Sequence, residues 1–320
     1  MNDADILIAG SFSQSAEEMF SKSFVCHRLL QDADIQSLPV GVAEKIRAIA
    51  AAPNASVHSN LIKKLPGLEI IANFGVGYDN IDVSYAARHK IIVTNTPDVL
   101  TEEVADVAIG LMIMTARELS AAERWLRDGN WNGSYPLTRG TLRSKRLGIF
   151  GLGRIGLAIA KRAEAMNMEI CYHNRNRVRD VRYPYCASLR ELASHCDILL
   201  CAAPGGDATR RAIGSEIFEA LGPDGILINI GRGSTVDETA LIKALKDGTI
   251  MSAGLDVFHD EPHVPEDLLT MDNVVLLPHV ASASQFTRNA MGKLQVDNLV
   301  SWFRDGLPLT PVPETPWPRP

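Results

Sequence analysis

A chain of 320 residues is long enough for about two domains, each able to bury its own core. With 46% hydrophobic and 22% charged residues it has the make-up of an ordinary globular protein, and a net charge of −6 argues against nucleic acid or any general polyanion as partner. Met1-Asn2-Asp3-Ala4-Asp5 is acidic where a secretory leader is basic, and no apolar run approaches the roughly 18 residues of a membrane span; with five cysteines and no Cys-x-x-Cys pair, a cytosolic location without membrane contact is expected.

In chain order, Ile6-Leu7-Ile8-Ala9 predicts a strand, followed by a helix near Ser15 to Leu30, short segments near Ile35 and Ala48, and strands at Leu68 to Ala72 and Ile91 to Val93. This is a small α/β layer without a glycine fingerprint. Within it, Phe74-Gly75-Val76-Gly77-Tyr78-Asp79-Asn80 reads either as a plain turn or as a backbone nest that bares amides to a carboxylate. Val104 to Ala116 is apolar nearly all round its helical wheel, after a capping hydroxyl and acidic turn at Thr101-Glu102-Glu103. Such a helix must be buried. It is too short for a membrane, so it packs inside its domain or against a second subunit, and a homodimer is expected.

A second series of strands follows at Leu147 to Phe150, Glu169 to Tyr172, Asp197 to Ala202, Ile226 to Ile230, Met251 to Val257 and Val274 to Leu277, with helical stretches between them. Its first strand runs into Gly151-Leu152-Gly153-Arg154-Ile155-Gly156, a glycine turn opening a helix whose apolar face is Ile155, Ala158, Ile159 and Ala163. In that context the turn marks a dinucleotide pyrophosphate site: Gly151 permits the tight turn, Gly153 lets the backbone approach the ligand and Gly156 lets the helix pack closely on the strand. A bare structural turn is the duller reading. Cys171 and Cys201 lie in apolar strand-like runs and are expected in the core.

An acidic residue about 20 positions past such a turn usually receives the adenosine ribose hydroxyls and repels a 2′-phosphate. Here Asn174 stands near that position with Arg175, Arg177 and Arg179 around it, which points to NADP(H) over NAD(H), the latter still admitted. A solvated basic loop is the alternative.

Arg232 in Asn229-Ile230-Gly231-Arg232-Gly233, Glu261 beyond Leu255-Asp256-Val257-Phe258 and His279 in Leu277-Pro278-His279-Val280-Ala281 all follow apolar strands, where ligands of an open α/β sheet bind. Hydride reduction of a carbonyl leaves alkoxide charge on oxygen, so an imidazole kept protonated by a carboxylate is the group to expect there. His279 then serves as acid, Glu261 orients it and Arg232 holds a substrate carboxylate. Singly, each residue also reads as a solvated charge or a structural histidine. The cluster His259-Asp260-Glu261-Pro262-His263 is not expected to bind metal, because Pro262 prevents a helix that would present both histidines on one face. Gln285 to Phe303 predicts a long helix, and Pro308 to Pro320 a proline-rich tail that is a strap, disordered or a recognition segment.

Taken together, Gly75-Val76-Gly77-Tyr78-Asp79-Asn80-Ile81-Asp82, Asn95-Thr96-Pro97-Asp98-Val99-Leu100-Thr101, the glycine turn, Asn229 to Gly233, Leu255 to Phe258 with Glu261-Pro262, and Pro278-His279 resemble the D-isomer-specific 2-hydroxyacid dehydrogenases, and within them the glyoxylate/hydroxypyruvate reductases. The resemblance covers nearly the whole chain. It implies two Rossmann-like or flavodoxin-like α/β domains with parallel sheets and a cleft between them: a discontinuous substrate domain at 1–97 and 285–320, and an NADP-binding domain at 98–284 with a dimerisation helix near 101–119. It also implies catalytic Arg232, Glu261 and His279, and binding of the substrate carboxylate by the backbone of Val76 and Gly77 together with Arg232 and His279. Asp256 would face the nicotinamide side. The expected cofactor contacts are Gly151, Gly153, Arg154, Ile155, Gly156, Asn174, Arg175, Arg177, Ala203, Pro204, Ile230, Gly231, Arg232, Asp256, His279 and Ala281. The implied reaction is reduction of a small 2-oxo acid, hydroxypyruvate or glyoxylate, by NADPH in a cytosolic homodimer. Alternatives are a sister enzyme for phosphoglycerate, formate or a bulkier acid, and a non-catalytic nucleotide-sensing module of the corepressor kind. Asn174 with Arg175 departs from the aspartate of many relatives.

Overall fold

The computed structural model describes residues 4–29 and 38–318, and the chain forms two compact units, Met1–Leu100 with Ser284–Pro320, and Thr101–Ala283. The first holds a five-stranded, all-parallel sheet of β1 (Asp5–Ala9), β2 (Val25–Leu29), β3 (Ile46–Ala51), β4 (Ile70–Asn73) and β5 (Ile92–Thr94) in the order β2-β1-β3-β4-β5. Both faces are buried, as an all-parallel sheet requires. Successive residues alternate between two cores: Leu7, Ile49, Ile71 and Val93 on one side, Ile6, Ile8, Ala48, Ile70 and Ile92 on the other.

The helices of this unit include α1 (Gln14–Ser21), α2 (Ser59–Ile62), α3 (Val83–Arg88) and, after the chain returns, α11 (Gln285–Asp305), which packs on α1 and β4. The single helix expected from Ser15 to Leu30 is instead α1 followed by β2. The helix closes on Phe20, whose carbonyl accepts the N–H of Ser23 and Phe24, and Val25 then donates to Ala4 and begins the parallel ladder with β1. Pairing with a neighbouring strand, which no local periodicity reveals, overrides the helical reading. The segment expected near Ile35 lies outside the described residues. The proline-rich tail is a strap: Thr94 bridges Pro311, Val312 donates to Val93, and the Val312 side chain is buried.

The second unit carries a six-stranded, all-parallel sheet of β6 (Arg146–Phe150), β7 (Glu169–His173), β8 (Ile198–Cys201), β9 (Ile226–Asn229), β10 (Ser252–Leu255) and β11 (Val274–Leu276), ordered β11-β10-β9-β8-β6-β7. A parallel bridge between Tyr172 and Tyr185 continues the sheet past β7. With that bridge counted as a remnant strand, the order is that of a doubly wound dinucleotide-binding sheet, whose ligands lie beyond the carboxyl ends of its strands. Its helices are α4 (Thr101–Ala116), α5 (Leu119–Arg127), α6 (Arg154–Ala165), α7 (Leu189–His195), α8 (Ser215–Leu221), α9 (Glu238–Lys246) and α10 (Glu266–Leu269).

The apolar helix α4 buries one face, Val104, Ala105, Ala108, Leu111, Met112 and Thr115, within its own unit against α6 and the sheet. Val107, Ile109, Ile113 and Met114 on the other face are only half-buried. Of the two alternatives, packing inside the domain is seen for the first face alone. Cys171 and Cys201 are in the core as expected, and all five cysteines are free. Among the described residues no helix is long and apolar enough to cross a membrane.

Candidate active site

The glycine turn between β6 and α6 is built by close backbone contact. Gly151 has φ +101°, and a Cβ there would lie 2.6 Å from the Ala203 nitrogen at the end of β8, so two strand ends meet where a side chain would intrude. A Cβ on Gly156 would strike the Gly151 carbonyl, which places the first turn of α6 directly on the loop. Above Gly153, the residue preceding α6, the space is open for 4 Å. No side chain intrudes at Gly153 where the helix begins, so an anion can approach the backbone there, and the residues fit a dinucleotide pyrophosphate. Ile155 is half-buried and Arg154 exposed at the helix start; Ala203, Ile230 and Ala281 are buried and Pro204 exposed at the neighbouring strand ends.

Asn174 is placed differently from a simple ribose contact. Its Oδ1 accepts the Leu152 N–H at 2.6 Å and its Nδ2 donates to the Leu152 carbonyl at 3.4 Å, so the side chain braces the glycine turn. No carboxylate occupies the end of β7, while Arg175 and Arg177 beside it are exposed. This uncharged end and its two guanidinium groups fit a 2′-phosphate better than a 2′-hydroxyl.

Arg232, Glu261 and His279 come together at the carboxyl ends of β9, β10 and β11. His279 Nδ1 donates to Glu261 Oε2 at 2.7 Å, and Glu261 Oε1 accepts the Phe258 N–H at 3.0 Å. Burial by itself would raise the Glu261 carboxyl, but the hydrogen bond and charge of His279, the Phe258 amide and the nearby Arg232 charge outweigh it and hold Glu261 below the ordinary glutamate value. Glu261 is thus ionised at neutral pH. With Nδ1 committed to the carboxylate, His279 Nε2 is the nitrogen left to face a ligand.

The backbone at His279 is strained, with φ +52° for a non-glycine residue. Asp256 holds it there. Its carbonyl accepts the His279 N–H at 2.8 Å, and its two carboxylate oxygens accept the N–H groups of Val280 at 2.7 Å and Ala281 at 3.0 Å. Burial pushes the Asp256 carboxyl above its ordinary value despite those two amides and His279, as expected for an acid that is 1% exposed. The family resemblance implies that Asp256 faces the nicotinamide; what the structure shows is that it fixes the histidine turn.

Around Arg232, two bracing residues escaped the sequence reading although both lie in a motif it singled out. Asn229 accepts the Gly231 N–H at 3.1 Å and donates to the Arg232 carbonyl at 3.0 Å, which fixes the turn carrying Arg232. Gly233 sits so close to the Phe258–His259 peptide that any Cβ would overlap it, and this contact brings the Arg232 turn to the loop of Glu261. An asparagine ending an apolar strand just before Gly-x-Gly is a signal for such a brace, but only its tertiary partners disclose it.

Val76 and Gly77 lie in the other unit, on the half-buried loop that follows β4. Asn73, the last residue of β4, donates from Nδ2 to the Gly77 carbonyl at 2.9 Å, and Asn95 beyond β5 donates to the Val76 carbonyl at 2.9 Å. The Val76 and Gly77 N–H groups have no protein partner among the described residues.

Residues 109–281 match the family described as D-isomer specific 2-hydroxyacid dehydrogenase, NAD binding domain. The chain is 45% identical to glyoxylate/hydroxypyruvate reductase A HPR2 of Arabidopsis thaliana, over 98% of this chain and all of that protein. It is 44% identical to a hydroxyphenylpyruvate reductase of Plectranthus scutellarioides, over the same shares. Among solved structures, an NADPH-dependent glyoxylate/hydroxypyruvate reductase of Sinorhizobium meliloti, in complex with NADP and malonate, superposes with a TM-score of 0.94 at 49% identity, covering 100% of this chain and 99% of that one. With the turn, the histidine–glutamate pair and the two parallel sheets already in place, the chain belongs to the D-isomer-specific 2-hydroxyacid dehydrogenase family.

Proposed function

We propose that the enzyme reduces a small 2-oxo acid, with hydroxypyruvate and glyoxylate as the leading substrates, to the D-2-hydroxy acid using NADPH. The observation that carries this reading is the 2.7 Å pairing of His279 with Glu261, close to Arg232 and in the same unit as the glycine turn. The reductase names and the NADP-bound Sinorhizobium meliloti structure support it. NADPH, when bound, supplies the hydride. His279 donates its Nε2 proton to the substrate oxygen as negative charge develops there, and Glu261 orients the ring through Nδ1. Arg232 holds the substrate carboxylate through two parallel hydrogen bonds. The Val76 and Gly77 amides of the other unit are suited to a carboxylate as well. In this assignment the unit Met1–Leu100 with Ser284–Pro320 is the substrate domain, and Thr101–Ala283 holds the cofactor. The test is chiral chromatography of the product from hydroxypyruvate and NADPH: D-glycerate supports the reading, and L-glycerate or no product overturns it.

Arg175 and Arg177 bind the 2′-phosphate, and the uncharged Asn174 does not repel it. Charge-assisted bonds of this kind contribute roughly 1.5 to 3 kcal/mol, so Arg175→Ala weakens NADPH binding about 10- to 100-fold and leaves NADH nearly unchanged. Fluorescence titration with each cofactor checks this, and equal losses contradict it.

A homodimer accounts for the unburied half of α4 and for the segment after it. On α5 and the loop beyond it Leu119, Leu126, Trp131 and Leu137 are exposed, Trp131 by 72% and Leu137 by 99%, a run of large apolar groups that a second copy of the chain covers. Sedimentation at micromolar concentration shows a dimer in this account; a monomer refutes it. Five free cysteines fit a reducing cytosol.

A further inference from the structure

The loop of Val76 and Gly77 has its carbonyls turned inward and held. Asn73 Nδ2 donates to the carbonyls of Gly75 at 3.3 Å and Gly77 at 2.9 Å, and Asn95 Nδ2 donates to that of Val76 at 2.9 Å. Thr96 secures the start of the loop, accepting the Gly75 N–H on its hydroxyl at 3.1 Å and donating its own N–H to the Gly75 carbonyl at 3.0 Å. Asn73 Oδ1, by contrast, is buried without a hydrogen-bond partner. An unsatisfied buried acceptor is costly, and it is retained here on an amide whose donor side is committed to the loop. The arrangement holds one loop shape, with the amides of Val76 and Gly77 directed away from the bracing asparagines.

Asn95 is itself held by the C-terminal segment. The Thr310 hydroxyl donates to the Asn95 carbonyl at 2.6 Å, and the Asn95 N–H donates to the Thr310 carbonyl at 3.2 Å. Asn298 of α11 fixes Thr310 in turn: its Nδ2 donates to the Thr310 hydroxyl at 3.0 Å, and its Oδ1 accepts the N–H groups of Leu309 and Thr310, both at 3.0 Å. Each proton of this relay has one acceptor, so the hydroxyl orientation is determined. A second tie runs from the Tyr78 hydroxyl, one residue past Gly77, to Glu314 at 3.1 Å. Farther along, Trp317 packs edge-on against Trp302 with ring centres 5.2 Å apart.

We infer that residues 307–318 are a positioning strap for the carboxylate-binding loop: Thr310 sets Asn95, Asn95 sets the Val76 peptide, and the strap thereby governs affinity for the 2-oxo acid and leaves hydride transfer untouched. The inference rests on the reading of Val76 and Gly77 as carboxylate donors. Asn73, Asn95, Thr310 and Glu314 are positioning residues in this scheme, since they act through the loop.

Steady-state kinetics of the full-length enzyme on hydroxypyruvate test it, with NADPH affinity and Tm measured in parallel. Thr310→Val, which keeps the shape and removes the hydroxyl, raises KM roughly 3- to 10-fold, the size of one lost hydrogen bond, with kcat within about twofold and NADPH affinity unchanged. Thr310→Ser restores the wild-type KM. Tyr78→Phe, which breaks the tie to Glu314 at a partly exposed position, raises KM in the same direction and decides the question alone if Thr310→Val does not fold. A lowered Tm with unchanged KM in these variants means that the strap is merely structural and overturns the inference. Gly77→Pro, which deletes one of the two amide donors, separates the underlying reading. If it raises KM while the strap variants do not, the strap role falls and the carboxylate site stands; if it too leaves KM unchanged, the carboxylate reading falls.

Discussion

His279→Ala lowers kcat roughly 100- to 10,000-fold, the usual range for loss of a positioned general acid, or about 3 to 5.5 kcal/mol of transition-state stabilisation. NADPH affinity changes far less, because the glycine turn and the arginines at the end of β7 are untouched. The strain at this position could confuse the result, since φ +52° disfavours any residue with a Cβ. His279→Asn resolves that ambiguity: asparagine tolerates the left-handed region better than most residues but has no acidic proton to deliver. Both variants therefore lose turnover to a similar extent. Should either retain full activity, the proton reaches the substrate by another route and the role assigned to the His279–Glu261 pair is wrong.

Arg232→Gln reduces kcat/KM for a 2-oxo acid by roughly 30- to 5,000-fold, the effect of removing one partner from a desolvated charge pair at about 2 to 5 kcal/mol. Arg232→Lys recovers only part of it, because an ammonium group cannot reproduce the parallel pair of hydrogen bonds that a guanidinium makes to a carboxylate. There is also a signature in pH. The Arg232 charge is one of the influences holding Glu261 below its ordinary value, against the upward push of burial. Removing it raises the Glu261 pKa, so the acid limb of the kcat/KM profile moves to higher pH in Arg232→Gln. A loss of kcat/KM with an unmoved acid limb would separate Arg232 from Glu261 and contradict the cluster described here.

The features legible in the sequence are those with a local cause. Gly151, Gly153 and Gly156 follow an apolar strand and open an apolar-faced helix, and the structure confirms the turn, the strand and the helix because each is encoded within a few residues of itself. Arg232, Glu261 and His279 were readable as a set because each follows a strand that the apolar runs already marked. What escaped the sequence reading depends on partners far away in the chain. Val25 to Leu29 continues a helical pattern until β1 pairs with it. Asn174 sits where a ribose contact is expected, yet its amide turns back onto Leu152, 22 residues earlier. Asn229 and Asn95 stand inside recognisable motifs and Asn73 just before one, but a bracing role is visible only once the carbonyls they hold are located. The tail, read as strap, disorder or recognition segment, resolves as a strap through Thr310, more than 200 residues from its partner Asn95.

Reduction of a 2-oxo acid by NADPH is the reaction proposed for this chain. Nicotinamide absorbance followed with glyoxylate, hydroxypyruvate, pyruvate and phosphohydroxypyruvate, each paired with NADPH and with NADH, tests it most directly. The account predicts turnover that is fastest with hydroxypyruvate or glyoxylate and faster with NADPH than with NADH. No turnover in any of the eight combinations would contradict it.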